Sequence, residues 1–230
     1  MIEAQRAEPR RPRVVLFDVL ETLLQLEGLR SRFVDIGRPA YELDIFCART
    51  VRDGMAFTLV GSCPPFAHVA RAALLATTGY KIDEEAVRYV LAGFRELPPY
   101  PDAEVALADL AKARIPAYAF TQGSTAAACA SLDRVGLRTY LRDVFSCEDI
   151  QSFRPPRWVY DWACLKVQSA PERTAMIGAN SWEVHGAGRA GLITGFVSRL
   201  EGGVSELVDT PHVVAGRLDL VVDALLALPR

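Results

Sequence analysis

Four apolar residues, Val14-Val15-Leu16-Phe17, run straight into a polar one, Asp18. A short, Val-rich run without alternation predicts a strand buried on both faces of a parallel sheet. The pattern then changes, and residues 26–97 read as helix throughout. Tyr41, Leu43, Ile45, Phe46, Cys47, Val51, Met55 and Phe57 fall close to helical spacing until Ser62-Cys63-Pro64-Pro65 interrupts them. Phe66 to Thr78 is an Ala- and Leu-rich helix stopped by Gly79. Asp83 can cap a further helix carrying Val87, Val90, Leu91 and Phe94. Pro98-Pro99-Tyr100-Pro101 is a stiff linker.

After the linker, strands and helices alternate. Ile115–Phe120, Val144–Ser146, Thr174–Gly178, Ile193–Ser198 and Val213-Val214 read as strands. Segments 102–113, 125–136, 156–167, 182–190 and 217–228 read as helices between or after them. Such alternation predicts an α/β fold whose core is a doubly wound parallel sheet. The expected organisation is a flexible tail at 1–12, a core from 13–25 and 98–230, and an inserted α-helical cap subdomain at 26–97.

Polar residues gather where these strands end: Asp18 and Thr22, then Thr121 to Ser124, then Asn180 to Glu183, with Arg154 ahead of Pro155-Pro156. The carboxyl ends of strands in an open α/β sheet converge on one crevice, where ligands bind. A carboxylate beside a guanidinium and hydroxyls is an arrangement suited to a nucleophile. The simpler alternatives are that Asp18 and Asn180 cap the helices that follow and that Thr121 merely ends its strand.

Composition narrows the function classes. The chain has 230 residues, half of them hydrophobic, enough for one sizeable core with a smaller subdomain. Its net charge is −2 and it has no long basic run, which argues against a nucleic-acid partner. Five scattered cysteines without a CxxC pair indicate neither a zinc site nor a disulfide framework, and fit a reducing cytoplasm. The first thirteen residues are charged and lack the apolar stretch of a secretory signal. No apolar run reaches the length of a membrane span. A small-molecule substrate is the expected partner.

These residues resemble the haloacid dehalogenase superfamily, over roughly residues 13–200, and within it the (S)-2-haloacid dehalogenases. The family's Asp-x-Tyr-Gly-Thr is answered by Asp18-Val19-Leu20-Glu21-Thr22, and its Lys-Pro-x-x-x-x-Tyr by Arg154-Pro155 and Tyr160. Its Ser-Ser-Asn-x-Trp-Asp-x-x-Gly-Ala is answered by Gly178-Ala179-Asn180-Ser181-Trp182-Glu183-Val184-His185-Gly186-Ala187. Arg49 stands 31 residues after Asp18, the family's spacing for a cap arginine. The resemblance implies a Rossmann-like core and a covalent route without a metal or other cofactor. On the implied route Asp18 would attack C2 of a small 2-haloacid, and water would hydrolyse the resulting ester. It implies catalytic roles for Asp18, Thr22, Arg154 and Glu183. It implies substrate or halide contacts from Arg49, Thr121, Gln122, Asn180, Tyr160 and Leu20. It also implies a possible homodimer.

Leu20 bears on the alternatives. Phosphatases of this superfamily place a second aspartate two residues after the nucleophile to protonate the departing alkoxide, help worth roughly 10²–10⁴ in rate. Leucine cannot supply that proton, and halide, a weak base, does not need it. A magnesium-dependent phosphatase remains the enzymatic alternative. Other departures open a different one. Arginine replaces lysine at 154, glycine and alanine replace hydroxyl-bearing residues at 178 and 179, and glutamate replaces aspartate at 183. Glu21 stands where the family has glycine, so the loop is expected to be reshaped there. An inactive or repurposed protein that binds a small metabolite on this fold is the alternative these changes leave open.

Overall fold

The computed structural model describes residues 8–230. Six parallel strands form one sheet: β1 (Val14–Phe17), β2 (Ala117–Thr121), β3 (Leu141–Ser146), β4 (Thr174–Gly178), β5 (Ile193–Val197) and β6 (Val213–Ala215), in the order β3-β2-β1-β4-β5-β6. The chain leaves β1 and builds β2 and β3 on one side, then returns to build β4 to β6 on the other. The carboxyl end of β1 is therefore the point where strand order reverses, the place where such sheets open a crevice. Register makes this concrete, because Phe17 pairs with both Ala119 of β2 and Ile177 of β4.

Nine α-helices accompany the strands among the described residues: α1 (Arg30–Asp35), α2 (Glu42–Leu59), α3 (Phe66–Thr77), α4 (Glu84–Ala92), α5 (Ala103–Lys112), α6 (Thr125–Arg134), α7 (Arg157–Lys166), α8 (Ser181–Arg189) and α9 (Leu218–Ala227). Alternate residues of β1 serve opposite layers, as the two-residue repeat of a strand requires. Val15 and Phe17 join an apolar cluster with Leu107 of α5, Leu132 of α6 and Val221 of α9. Val14 and Leu16 join a second cluster with Val159 of α7 and Ala187 of α8. That double burial is why the strand reads as an unbroken apolar run.

Between Leu26 and Arg95 every regular element is helical. Phe33, Phe46, Leu74 and Val90 from this insertion share the apolar cluster of Val15 and Phe17, so the insertion packs continuously with the sheet layer. Its two connections run side by side: Tyr100 N donates to Leu23 O at 2.9 Å, and Gln25 N to Pro98 O at 2.9 Å. The Asp83 side chain caps α4 by accepting from Ala86 N at 2.8 Å, as its position predicts.

Two expectations need correction. Of the flexible tail expected at 1–12, residues 1–7 lie outside the described residues. Arg11 N donates to Pro229 O at 2.7 Å and Pro12 is buried, so the tail is already anchored before residue 13. The second concerns Glu21, whose side chain was expected only to disturb the turn. It adopts the left-handed backbone itself, at φ 66°, a conformation unfavourable for a residue with a Cβ. Its carboxylate anchors that turn by accepting from Tyr100 Oη at 2.6 Å and Leu26 N at 3.0 Å. Burial pushes the proton affinity of Glu21 up, while those two donors oppose the shift.

Candidate active site

Asp18 follows the last residue of β1, where its N–H still donates to Ile177 O of β4 at 3.0 Å. The strand thus aims the carboxylate out of the sheet's carboxyl end. Arg154 Nη2 donates to Asp18 Oδ1 at 2.6 Å. Thr22 Oγ1 lies 3.3 Å from Oδ2 and accepts from Ala179 N at 3.1 Å, so a backbone amide orients the hydroxyl toward the carboxylate. Oδ1 is thus held by Arg154 at 2.6 Å, and Oδ2 only by Thr22 at 3.3 Å.

Arg154 is only 1% exposed, and each arm of its fork is used. Nη1 donates to Phe120 O at 2.8 Å and lies 2.5 Å from Glu183 Oε1. The guanidinium carbon sits 4.9 Å from the centre of the Phe120 ring, within range of a cation–π contact. Gln122 Oε1 accepts from Arg154 N at 3.1 Å and holds the backbone. A planar fork reaches these acceptors together, which a lysine ammonium cannot do. Burial works against the charge of Arg154, but the carboxylates of Glu183 and Asp18 outweigh it and raise its affinity for the proton.

Glu183 comes from α8, which packs against the Arg154–Pro155 turn. Gly186 permits that approach, since a Cβ there would lie 2.5 Å from Pro155 Cβ and 2.8 Å from its carbonyl oxygen. Burial pushes the Glu183 carboxyl well above the usual range; Arg154 opposes the shift and the Asp18 charge adds to it. One cation thus serves two buried carboxylates, and Glu183 retains a proton the more readily for it.

The remaining candidates divide. Thr121 ends β2, buried, and accepts from Gly123 N at 3.1 Å. Its own proton has no acceptor among the described residues. Asn180 precedes α8 but its side chain caps nothing; Glu201 Oε1 instead accepts from Ser181 N at 2.7 Å. Leu20 packs partly buried against the main apolar cluster. Arg49 lies half-buried on α2 and makes no ion pair or hydrogen bond among the described residues, so the structure does not join it to Asp18. Arg52, one turn along, is exposed and paired with Asp53. Tyr160 must be corrected: it is fully buried behind Glu183, donating to the Glu183 carbonyl at 2.8 Å, and does not face the crevice. His185 Nδ1, on α8, accepts from Asp209 N at 3.0 Å.

The residues do not fit an octahedral magnesium centre. Asp18 and Glu183 both direct an oxygen at Arg154, and Leu20 and Ala179 contribute no ligand side chain. Among the described residues no three His, Cys, Asp or Glu side chains converge on a metal position.

Sequence reasoning missed Phe120, whose carbonyl and ring both hold Arg154, and Ala179, whose amide orients Thr22. A backbone group carries no residue-specific signal, so neither was visible in the motifs. It also missed Glu148 and Phe153, which join the core to the insertion. Glu148 Oε1 accepts from Phe66 N at 2.8 Å, and Phe153 N donates to Thr58 Oγ1 at 2.8 Å.

A sequence profile of the haloacid dehalogenase-like hydrolases matches residues 12–191, which include Asp18, Thr22, Arg154 and Glu183. The chain belongs to this family. Among related haloacid dehalogenase-like hydrolases, (S)-2-haloacid dehalogenase 1 of Pseudomonas sp. (strain CBS-3) is 26% identical over 193 residues, covering 82% of this chain and 85% of the relative. (S)-2-haloacid dehalogenase 4A of Burkholderia cepacia is 26% identical over 192 residues, covering 81% and 83%. The fold of this hydrolase superposes on the L-2-haloacid dehalogenase of Xanthobacter autotrophicus with chloropropionic acid covalently bound. The TM-score is 0.85 at 20% identity, covering 94% of this chain and 99% of the other.

Proposed function

We propose that this hydrolase is a 2-haloacid dehalogenase that uses Asp18 as its nucleophile. The observation that carries the reading is the buried Asp18–Arg154 pair at 2.6 Å, with leucine at position 20 where a proton donor for an alkoxide would be needed. The (S)-2-haloacid dehalogenase relatives support it.

In this reading Asp18 Oδ2 attacks C2 of the substrate. The carbon–halogen bond breaks, halide leaves with its electron pair, and an aspartyl ester forms. Water then adds to Cγ of Asp18, releasing the 2-hydroxy acid, regenerating the carboxylate and yielding one proton overall. Arg154 holds Oδ1 throughout, and Thr22 orients Oδ2. The free proton of Thr121 and the uncommitted Asn180 side chain suit the substrate carboxylate. Gln122 serves by holding Arg154, and Leu20 supplies an apolar wall. Arg49 receives the halide, a role its lack of a partner leaves open to it. Glu183 steadies Arg154 from the far side.

The proposal includes residues 26–97 as a cap over Asp18. The bonds from Phe66 and Thr58 to the loop ending at Arg154 support it. It also includes a homodimer in the cytoplasm. Exposed Tyr41, Ile45, Phe57, Leu59 and Val60 along and beside α2 support the first, and five free cysteines the second. Sedimentation equilibrium giving the mass of a single chain would remove the dimer, and an exported native protein would remove the location.

The test is incubation with (S)-2-chloropropionate and EDTA in ¹⁸O-labelled water. Halide release with ¹⁸O accumulating in the Asp18 peptide over many turnovers is the expected result. Absence of both, from folded protein, would overturn the proposal. A pH profile adds a second check. Because its neighbours raise the proton affinity of Arg154, turnover should show no alkaline loss from this group up to about pH 10, where a lysine would begin to lose its proton.

A further inference from the structure

We propose that Gly178 is a positioning residue for this reaction, vacating the space that Glu183 needs in order to reach Arg154. The inference rests on the dehalogenase reading for its kinetic consequence, but not for its geometry.

β4 ends at Gly178 and α8 begins at Ser181, so Glu183 folds back over the end of its own strand. A Cβ on Gly178 would lie 2.6 Å from Glu183 Oε2 and 3.3 Å from its Cδ. The Glu183 carboxylate can yield only by giving up its contact with Arg154. Glu183 is 1% exposed, its Oε1 meets Arg154 Nη1 at 2.5 Å, and its carbonyl is held by Tyr160. The backbone at Gly178 is not left-handed, so its φ does not call for glycine. Glycine inside a buried strand is otherwise unfavourable, and commonly marks a close approach. Here the approaching group is a carboxylate.

The length of the acid at 183 and the bulk at 178 are therefore one choice. Glutamate fits with glycine; an acid shorter by one methylene would leave room for a Cβ. Adding the Cβ alone pushes on Oε2; neither carboxylate oxygen of Glu183 makes a hydrogen bond among the described residues, so the ion-pair contact of Oε1 with Arg154 is what holds the group. The carboxylate then turns, and Oε1 loses its place on Arg154. The same guanidinium fixes Asp18 Oδ1, so the disturbance reaches the nucleophile through Arg154. A displacement of about 1 Å in a catalytic array can cost on the order of 10² in rate.

The test compares wild type, Gly178→Ala, Glu183→Asp and the double variant, by kinetics with (S)-2-chloropropionate and by thermal melting. Gly178→Ala should lower kcat by about 10- to 100-fold with KM little changed, and should lower Tm. Adding Glu183→Asp to it should recover kcat by about tenfold and raise Tm. Losses in kcat and Tm that simply combine in the double variant would overturn the proposal. So would a Gly178→Ala protein with unchanged kcat and Tm. If wild type releases no halide, the dehalogenase reading falls by itself. The melting cycle then decides the 178–183 exchange independently: non-additive shifts retain it and additive shifts overturn it.

Discussion

Asp18→Asn is expected to abolish halide release while leaving the protein folded. Asparagine keeps the shape of the side chain but removes the attacking oxygen anion, and loss of a covalent nucleophile lowers kcat on the order of 10⁴–10⁶-fold. The stability effect should be small, because two terms oppose each other. The Arg154–Oδ1 contact loses its charge assistance, worth about 1.5–3 kcal/mol. The negative charge of Asp18, which helps push the Glu183 carboxyl up, disappears at the same time. Arg154 keeps Glu183 and the Phe120 carbonyl. Steady-state halide release and a thermal melt on the same preparation check both halves. Turnover within tenfold of wild type in a folded Asp18→Asn protein would remove Asp18 as nucleophile.

Arg154→Met should have the largest effect on stability. It takes the cation from a buried cluster and leaves Asp18 and Glu183 without their common partner. Breaking a buried pair from one side costs about 3–5 kcal/mol. In a protein of this size each kcal/mol shifts Tm by roughly 2–4 °C. The loss should depend on pH, with a definite sign. Glu183 already holds its proton more tightly in the folded protein than an ordinary carboxyl does. Removing Arg154 removes the one influence lowering that affinity, so the folded variant binds more protons than the unfolded chain over a wider range above the usual carboxylate pKa. Stability must then rise as pH falls through that range. Melts between pH 8 and pH 5 should show the deficit against wild type shrinking toward acid. A deficit constant across that range would mean that packing, not charge, ties Arg154 to the fold. Arg154→Lys should lose less stability, since it keeps a charge, yet still lose turnover because a point charge cannot span the Phe120 carbonyl and both carboxylates.

The order of strands and helices was legible because local rules agree with the global fold. β1, β4 and β5 are buried on both faces and read as apolar runs, and glycine and proline mark several of the helix boundaries. Asp18, Thr22, Arg154 and Glu183 were legible as strand-end or loop polar residues, and the parallel sheet brings all four together. Glu21 was read as a disturbance, whereas its side chain supplies the bonds that hold a glycine-like turn. Tyr160 was read toward the substrate because it answers the family's Lys-Pro-x-x-x-x-Tyr; the face it presents puts it behind Glu183.

By itself, then, the sequence determined the alternation that makes a parallel sheet, the helical insertion after β1, and the residue types that can meet at the strand ends. Hydrophobic period and turn chemistry are local, so a single chain displays them. Tertiary structure decided which atoms meet. Arg154 and Asp18 lie 136 residues apart in the chain, and the pairing of β1 with β2 and of β2 with β3 brings their segments together. The Phe120 carbonyl, the Ala179 amide and the room that Gly178 leaves for Glu183 have no side-chain signature. Their contribution comes from distance and direction within a buried interior, which only the folded chain sets.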